Sequence, residues 1–238
     1  MKLKSPELEL IRKRFKNVKK IIAVSGAKGG VGKSTVSSLL SLKLSEKNVV
    51  GLFDLDFFNP SCHVILGIKP TFKEEKGIVP SKYFGIKFFS IVSLTQKPLA
   101  LRGEDLTRAL FELFKTIRWG HLDYLIIDCP PGLSNVFLDL LRLRLNISFL
   151  LVSTPSLLSF SSLLRQIELL QKREAKIIGI IWNMVRKDEE IACYRKKINI
   201  NSIIIHFDPE FDRKIGNVSS IKSSKLYQEI GKIEDFLN

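Results

Sequence analysis

Cysteine is scarce. Cys62, Cys129 and Cys193 are the whole supply in 238 residues, widely spaced and odd in number. Such usage excludes a disulfide framework and fits a reducing compartment. Histidine is equally thin, and His63, His121 and His206 have no metal-ligand spacing. No apolar stretch approaches the ~18 residues of a membrane span. The opening "MKLKSPELEL" lacks the apolar core of a secretory leader. A cytoplasmic protein without a transmembrane segment is expected. Acidic residues are outnumbered, 24 against 38 basic ones, and the formal net charge is +14. That excess attracts acidic partners, DNA or an anionic membrane among them, without choosing between them.

What is present points to a folded α/β domain. Hydrophobic residues make up 45% of the chain, enough for a proper core. Short apolar runs at 21–25, 49–56, 86–92, 124–129, 147–153, 177–182 and 202–207 read as strands. They are continuously apolar rather than alternating, as strands are when helices cover both faces of a parallel sheet. Helical patterns lie between them at 33–47, 104–117, 134–144, 159–172 and 222–237. The expectation is a doubly wound, mostly parallel sheet flanked by helices. Residues 69–85 and 184–201 read as the two longest loops. Residues 1–20 carry eight basic residues against Glu7 and Glu9, and read as a basic arm or a surface helix leading into the first strand. Residues 21–238 then form a single domain.

The most specific signal is "SGAKGGVGKST", residues 25–35, set between an apolar strand and a helix. It fits G-x-x-x-x-G-K-[ST] with Gly26 and Gly32 as the fixed glycines. In that frame the backbone of Gly29, Gly30, Val31 and Gly32 turns its N–H groups onto phosphate, helped by the helix N-terminus. Lys33 meets the β- and γ-phosphates, Ser34 ligates Mg²⁺ and Thr35 reaches the α-phosphate. The fold expected is therefore that of a P-loop nucleotide-binding protein. Lys28 is a second lysine in the same loop, and the motif gives it no task.

The form x-K-G-G-x-G-K-[ST] resembles the deviant Walker A of the MinD/ParA/Mrp ATPases, and the likeness extends from about Asn17 to the C-terminus. It implies a slow, magnesium-dependent ATPase that closes two copies around two ATP molecules. 

By that resemblance Lys28 crosses the interface to the partner's nucleotide, and Lys28, Lys33 and Asp56 are the catalytic set. "GLFDLDFFNPS" resembles the family's first switch, with Asp56 orienting the attacking water and Asp54 near the Mg²⁺. "YLIIDCPPG" resembles the second, with Asp128 on a magnesium-bound water. Asn183 in "IIWNM", with Asp208 and Pro209 in "HFDPEFDRKIG", falls where the family reads adenine.

The stretch 102–132 resembles the Mrp/ApbC branch of iron–sulfur cluster carriers. That branch carries a C-x-x-C after its "NM" segment, whereas this chain has Cys193 alone. A four-iron cluster takes four ligands, so a cluster held by the usual route is not expected. "PPGLSN" also departs from the family, with Leu133 and Asn135 where Thr and Asp are common, which would slow hydrolysis. Two other functions stay open: a MinD/ParA-like positioning ATPase that binds membrane or DNA in its ATP state, and a non-hydrolysing regulator.

Overall fold

The computed structural model describes residues 6–94 and 103–237. Among them a nine-stranded sheet has the order β3-β4-β5-β2-β6-β1-β7-β8-β9. The strands are β1 (Val18–Ser25), β2 (Val50–Asp54), β3 (Phe72–Glu74), β4 (Ile78–Tyr83), β5 (Ile86–Ser90), β6 (Leu122–Asp128), β7 (Ile147–Ser153), β8 (Lys176–Val185) and β9 (Ser202–His206). From β5 to β9 every neighbouring pair is parallel. β1 lies between β6 and β7, so the chain leaves it for β2 on one side and later fills the other. Such a reversal opens a crevice at the carboxyl ends of the strands.

Alternation along each strand serves two separate cores. Ile21 and Ala23 face one layer, with Phe53, Phe114, Trp119 and Phe149. Ile22 and Val24 face the other, with Leu39, Leu52, Phe88 and Ile230. The first layer holds α1 (Pro6–Phe15), α4 (Gly103–Thr116), α5 (Asn135–Arg142) and α6 (Leu157–Lys172). The second holds α2 (Lys33–Leu44), α3 (Cys62–Leu66), α8 (Val218–Lys222) and α9 (Lys225–Ile230). The basic N-terminal stretch is helical in α1, whose Ile11 is fully buried and whose Phe15 stacks on Phe114 at 5.2 Å.

Three stretches differ from the sequence reading. Residues 69–85 are not a loop: β3, β4 and β5 form an antiparallel meander there. Its tight turns use positive φ at Lys76 and Phe84 ahead of Gly77 and Gly85. Only the glycines advertise such turns, and the residue before each is one that seldom adopts this conformation. Residues 184–201 contain α7 (Glu189–Arg195). The helix expected over 222–237 is broken into α8, α9 and a 3-10 segment, Gly231–Phe236. Ser224 explains the break, since its hydroxyl accepts from Tyr227 N–H at 3.1 Å and restarts the helix. Leu226, Ile230, Ile233 and Leu237 are nevertheless all buried, as their spacing implied.

Candidate functional site: a phosphate loop over two buried carboxylates

β1 delivers Ser25 to the crevice, and the chain turns through the glycine-rich loop into α2. Gly32 is the left-handed residue before the helix, at φ 88°. A Cβ there would lie 2.2 Å from Asn183 Nδ2, so both the conformation and the space demand glycine. Asn183 reaches this position through an irregularity in β8, where the register with β9 shifts between Trp182 and Val185 and Met184 takes φ 60°. Its Nδ2 donates to the Val31 carbonyl at 2.8 Å, tying the loop down from behind. A cavity of ≈ 410 Å³ opens over Gly29, Gly30, Gly32, Lys33, Ser34 and Thr35, with Asp56 and Met184 on its rim.

Beneath the loop, Asp128 ends β6 fully buried. Ser34 donates to its Oδ2 at 2.6 Å and Ser37 to its Oδ1 at 2.9 Å. These hydroxyls are one turn apart on α2, so the helix presents both to one carboxylate. Asp54, from the adjacent β2, accepts N–H bonds from Asp56 and Cys62 at 3.1 and 3.2 Å. Burial and the neighbouring Asp128 charge push the Asp54 carboxyl well up from its ordinary value. Burial also raises Asp128, against the lowering effect of Ser34, Ser37 and Lys33. Lys33 is itself pushed down by burial, opposed by the attraction of Asp128. The pair is a concentrated demand for positive charge, and its oxygen donors suit a hard divalent cation such as Mg²⁺.

The structure brings most of the sequence-predicted residues together. Lys33 is only 7% exposed, and its ammonium donates to the Lys28 carbonyl at 3.3 Å. The Lys28 side chain is half-buried, does not line the cavity, and has no hydrogen bond or ion pair among the described residues. Asp56 accepts from the N–H groups of Phe58 and Asn59, which fixes it at the rim. Asp208 and Pro209 do not line the cavity. Asp208 accepts from Glu210 N–H, and its other carboxylate oxygen is buried without a partner. Cys193 is exposed on α7, while Cys62 and Cys129 are buried. His206 ends β9 between Glu229 and Asp188.

Three residues at the site escaped the sequence reading as contributors. Ser37 could have been found from its spacing to Ser34. Cys62 donates its thiol to Asp128 Oδ2 at 3.4 Å, a contact across 66 residues that no local pattern foreshadows. Gln166, from α6, donates to Ser25 Oγ at 2.7 Å behind the loop.

Residues 17–201 match the ParA family in the form described as NUBPL iron-transfer P-loop NTPase. The chain belongs to that family. Over 190 residues it is 39% identical to an iron–sulfur cluster carrier protein of Rickettsia typhi, covering 77% of this chain and 60% of the relative. It is 36% identical to the iron–sulfur cluster transfer protein NUBPL of Dictyostelium discoideum, covering 71% and 61%. This NUBPL-family chain thus spans about three fifths of those relatives' length. Among solved structures it resembles a nucleotide-binding protein of Archaeoglobus fulgidus in complex with ADP, with cobalt found. That match has a TM-score of 0.75 and 26% identity, and covers 93% of this chain and 96% of the other. MinD of Pyrococcus horikoshii, complexed with Mg-ADP, shares the fold at a TM-score of 0.70 and 23% identity, covering 92% and 96%. Among the described residues no helix is long and apolar enough to cross a membrane.

Proposed function

We propose that this chain binds and hydrolyses ATP slowly, and that two copies close around two nucleotides. The observation that carries the reading is the Ser34–Asp128–Ser37 cluster directly beneath a glycine loop whose Lys33 is buried beside it. In this reading the N–H groups of Gly29 to Gly32 and the α2 N-terminus receive phosphate oxygens, with Lys33 across the β- and γ-phosphates and Thr35 at the α-phosphate. Ser34 and Asp128, with Asp54 behind them, hold Mg²⁺, which when bound neutralises phosphate charge. Asp56 orients the attacking water. Asn183, Asp208 and Pro209 face the adenine side, and Lys28 acts on the partner copy's nucleotide. Residues 21–238 make up the ATPase unit in this reading, and the basic 1–20 lead-in packs onto it through Ile11 and Phe15 and begins its first strand at Val18.

Likeness to cluster carriers supports a role in iron–sulfur transfer. Two copies supply only two Cys193 thiolates, so the cluster's remaining ligands would come from another protein. One observation favours an acidic partner as well. A hollow of ≈ 550 Å³ is lined by Arg142, Arg144, Lys172, Arg173 and Glu174; Arg142 pairs with Asp139 and Lys172 with Glu168, which leaves Arg144 and Arg173 to face an anion. Binding of a fluorescent ATP analogue with and without Mg²⁺, together with phosphate release, tests the main reading. Failure to bind nucleotide ends it. Co-sedimentation with DNA or anionic liposomes, with and without ATP, tests the second.

A further inference from the structure

Asp54, Cys62 and Asp128 lie below the phosphate loop with side chains withdrawn from solvent, at 2%, 0% and 0% exposure. One ligand atom from each falls within 4.8 Å of the other two. We propose that these three side chains form a site for a thiophilic divalent ion of the zinc, cobalt(II) or iron(II) class. Asp54 and Asp128 also border the phosphate-side position proposed for Mg²⁺, and Cys62 is what sets this site apart.

Geometry supports it first. A tetrahedral ion with metal–oxygen and metal–sulfur bonds of about 2.0 and 2.3 Å sets its oxygen and sulfur roughly 3.5 Å apart. Cys62 Sγ and Asp128 Oδ2 already stand 3.4 Å apart. Charge supports it next. Two buried carboxylates face one another, and Lys33 is a cation that offsets the charge at Asp128. Buried polar groups with a poor partner or none supply a third, independent sign. Ser38 Oγ is fully buried against the Cys62 sulfur, toward which it makes only a weak, poorly aligned hydrogen bond. Ser90, opposite Asp54 in the β2–β5 register, is equally buried and has no partner. Under-satisfied buried hydroxyls of this kind mark an ion or water that completes the site. A thiol is a weak acceptor, whereas a metal-bound thiolate accepts strongly, so the Ser38–Cys62 hydrogen bond strengthens once the ion is in place. The sulfur selects against Mg²⁺ and Ca²⁺ and for softer ions. On binding, the ion takes the place of the thiol proton now directed at Asp128, and that proton leaves to solvent.

The test uses the full chain, stripped of metal and nucleotide and titrated with Co²⁺. The expected result is one ion per chain, with thiolate-to-cobalt charge-transfer absorption and tetrahedral visible bands that excess Mg²⁺ does not abolish. Cys62→Ala should lose the charge-transfer band, while Cys129→Ala and Cys193→Ser keep it; thermal melts establish that each variant folds. Ser38→Ala leaves the thiol in place and should weaken Co²⁺ binding about tenfold. No stoichiometric binding, an oxygen-only octahedral spectrum, or an unchanged band in Cys62→Ala overturns the proposal. ATP binding by the same preparation reports separately on the nucleotide reading.

Discussion

Asn183 and Gly32 are fitted to one another: the asparagine amide occupies the space that any side chain at position 32 would need. Gly32→Ala therefore meets both a left-handed backbone and a collision. It should destabilise the chain by about 1–3 kcal/mol and abolish ATP binding. Asn183→Ala removes the obstruction but leaves the Val31 carbonyl without its donor, at a cost of about 1–3 kcal/mol. Urea unfolding and nucleotide titration of both variants check this. If Asn183 also reads the base, preference for ATP over GTP should fall in its variant.

Lys28 and Lys33 should separate cleanly. Lys33→Ala should lose Mg-ATP binding. Lys28→Ala should bind ATP nearly as the parent does, yet fail to pair when ATP is added. Its turnover should fall steeply, since trans-supplied cations are worth roughly 10³–10⁵ in rate. Light scattering and phosphate release read both effects. Parent-like pairing and turnover in Lys28→Ala would make it an ordinary loop lysine.

Asp56→Ala should behave in the opposite sense. ATP-induced pairing should persist and outlast that of the parent, because the attacking water has lost its orienting carboxylate. Size-exclusion chromatography after an ATP pulse measures the lifetime, and rapid release of monomer contradicts the assignment.

His206 gives the fold a pH dependence. Its hydrogen bonds to Glu229 and then Asp188 raise its pKa; burial pushes Glu229 up, but the His206 backbone N–H and then the His206 ring hold it below its usual range. Lys232 also faces Glu229, at 3.8 Å. A raised histidine contributes fully below its unfolded value near 6.5 and loses that contribution as pH rises through its folded value. Depressed Glu229 contributes above its own unfolded value and fades in acid. Urea stability should therefore decline by about 1 kcal/mol as pH climbs from about 6 to about 9. His206→Asn should flatten that decline. An identical slope in the variant would assign it elsewhere.

Anaerobic reconstitution of the chain alone should not yield a four-iron cluster per pair of copies. Two exposed Cys193 thiols fall short of the four ligands such a cluster takes. Iron and sulfide analysis decides it, and four irons lost on Cys193→Ser would refute it.

The sheet could be read from the sequence because β1, β2, β6 and β7 are continuous apolar runs, which parallel strands between two helical layers have to be. Gly26, Gly32 and Lys33 were legible because a phosphate loop compresses its requirements into a few adjacent residues. The β3–β4–β5 meander was hidden because Lys76 and Phe84 adopt a backbone conformation that neither residue announces. The break at Ser224 was masked by apolar spacing that continues through it. Cys62 and Ser38 were missed for another reason: the fold alone brings Cys62 to Asp128 and Ser38 to Cys62.

The meander beside β5 also limits how copies of this chain can meet. It ends one side of the sheet in three-residue β3, whose Lys73 and Glu74 are exposed. The opposite side ends in β9, five residues long, with its terminal His206 engaged by Glu229 and Asp188. Margins this short, one of them charged and the other with its end occupied by His206, are poor docking rails for a neighbouring strand. Growth of the sheet into ribbons or fibres is thereby discouraged, and the loops at the strands' carboxyl ends are left as the open route for self-association.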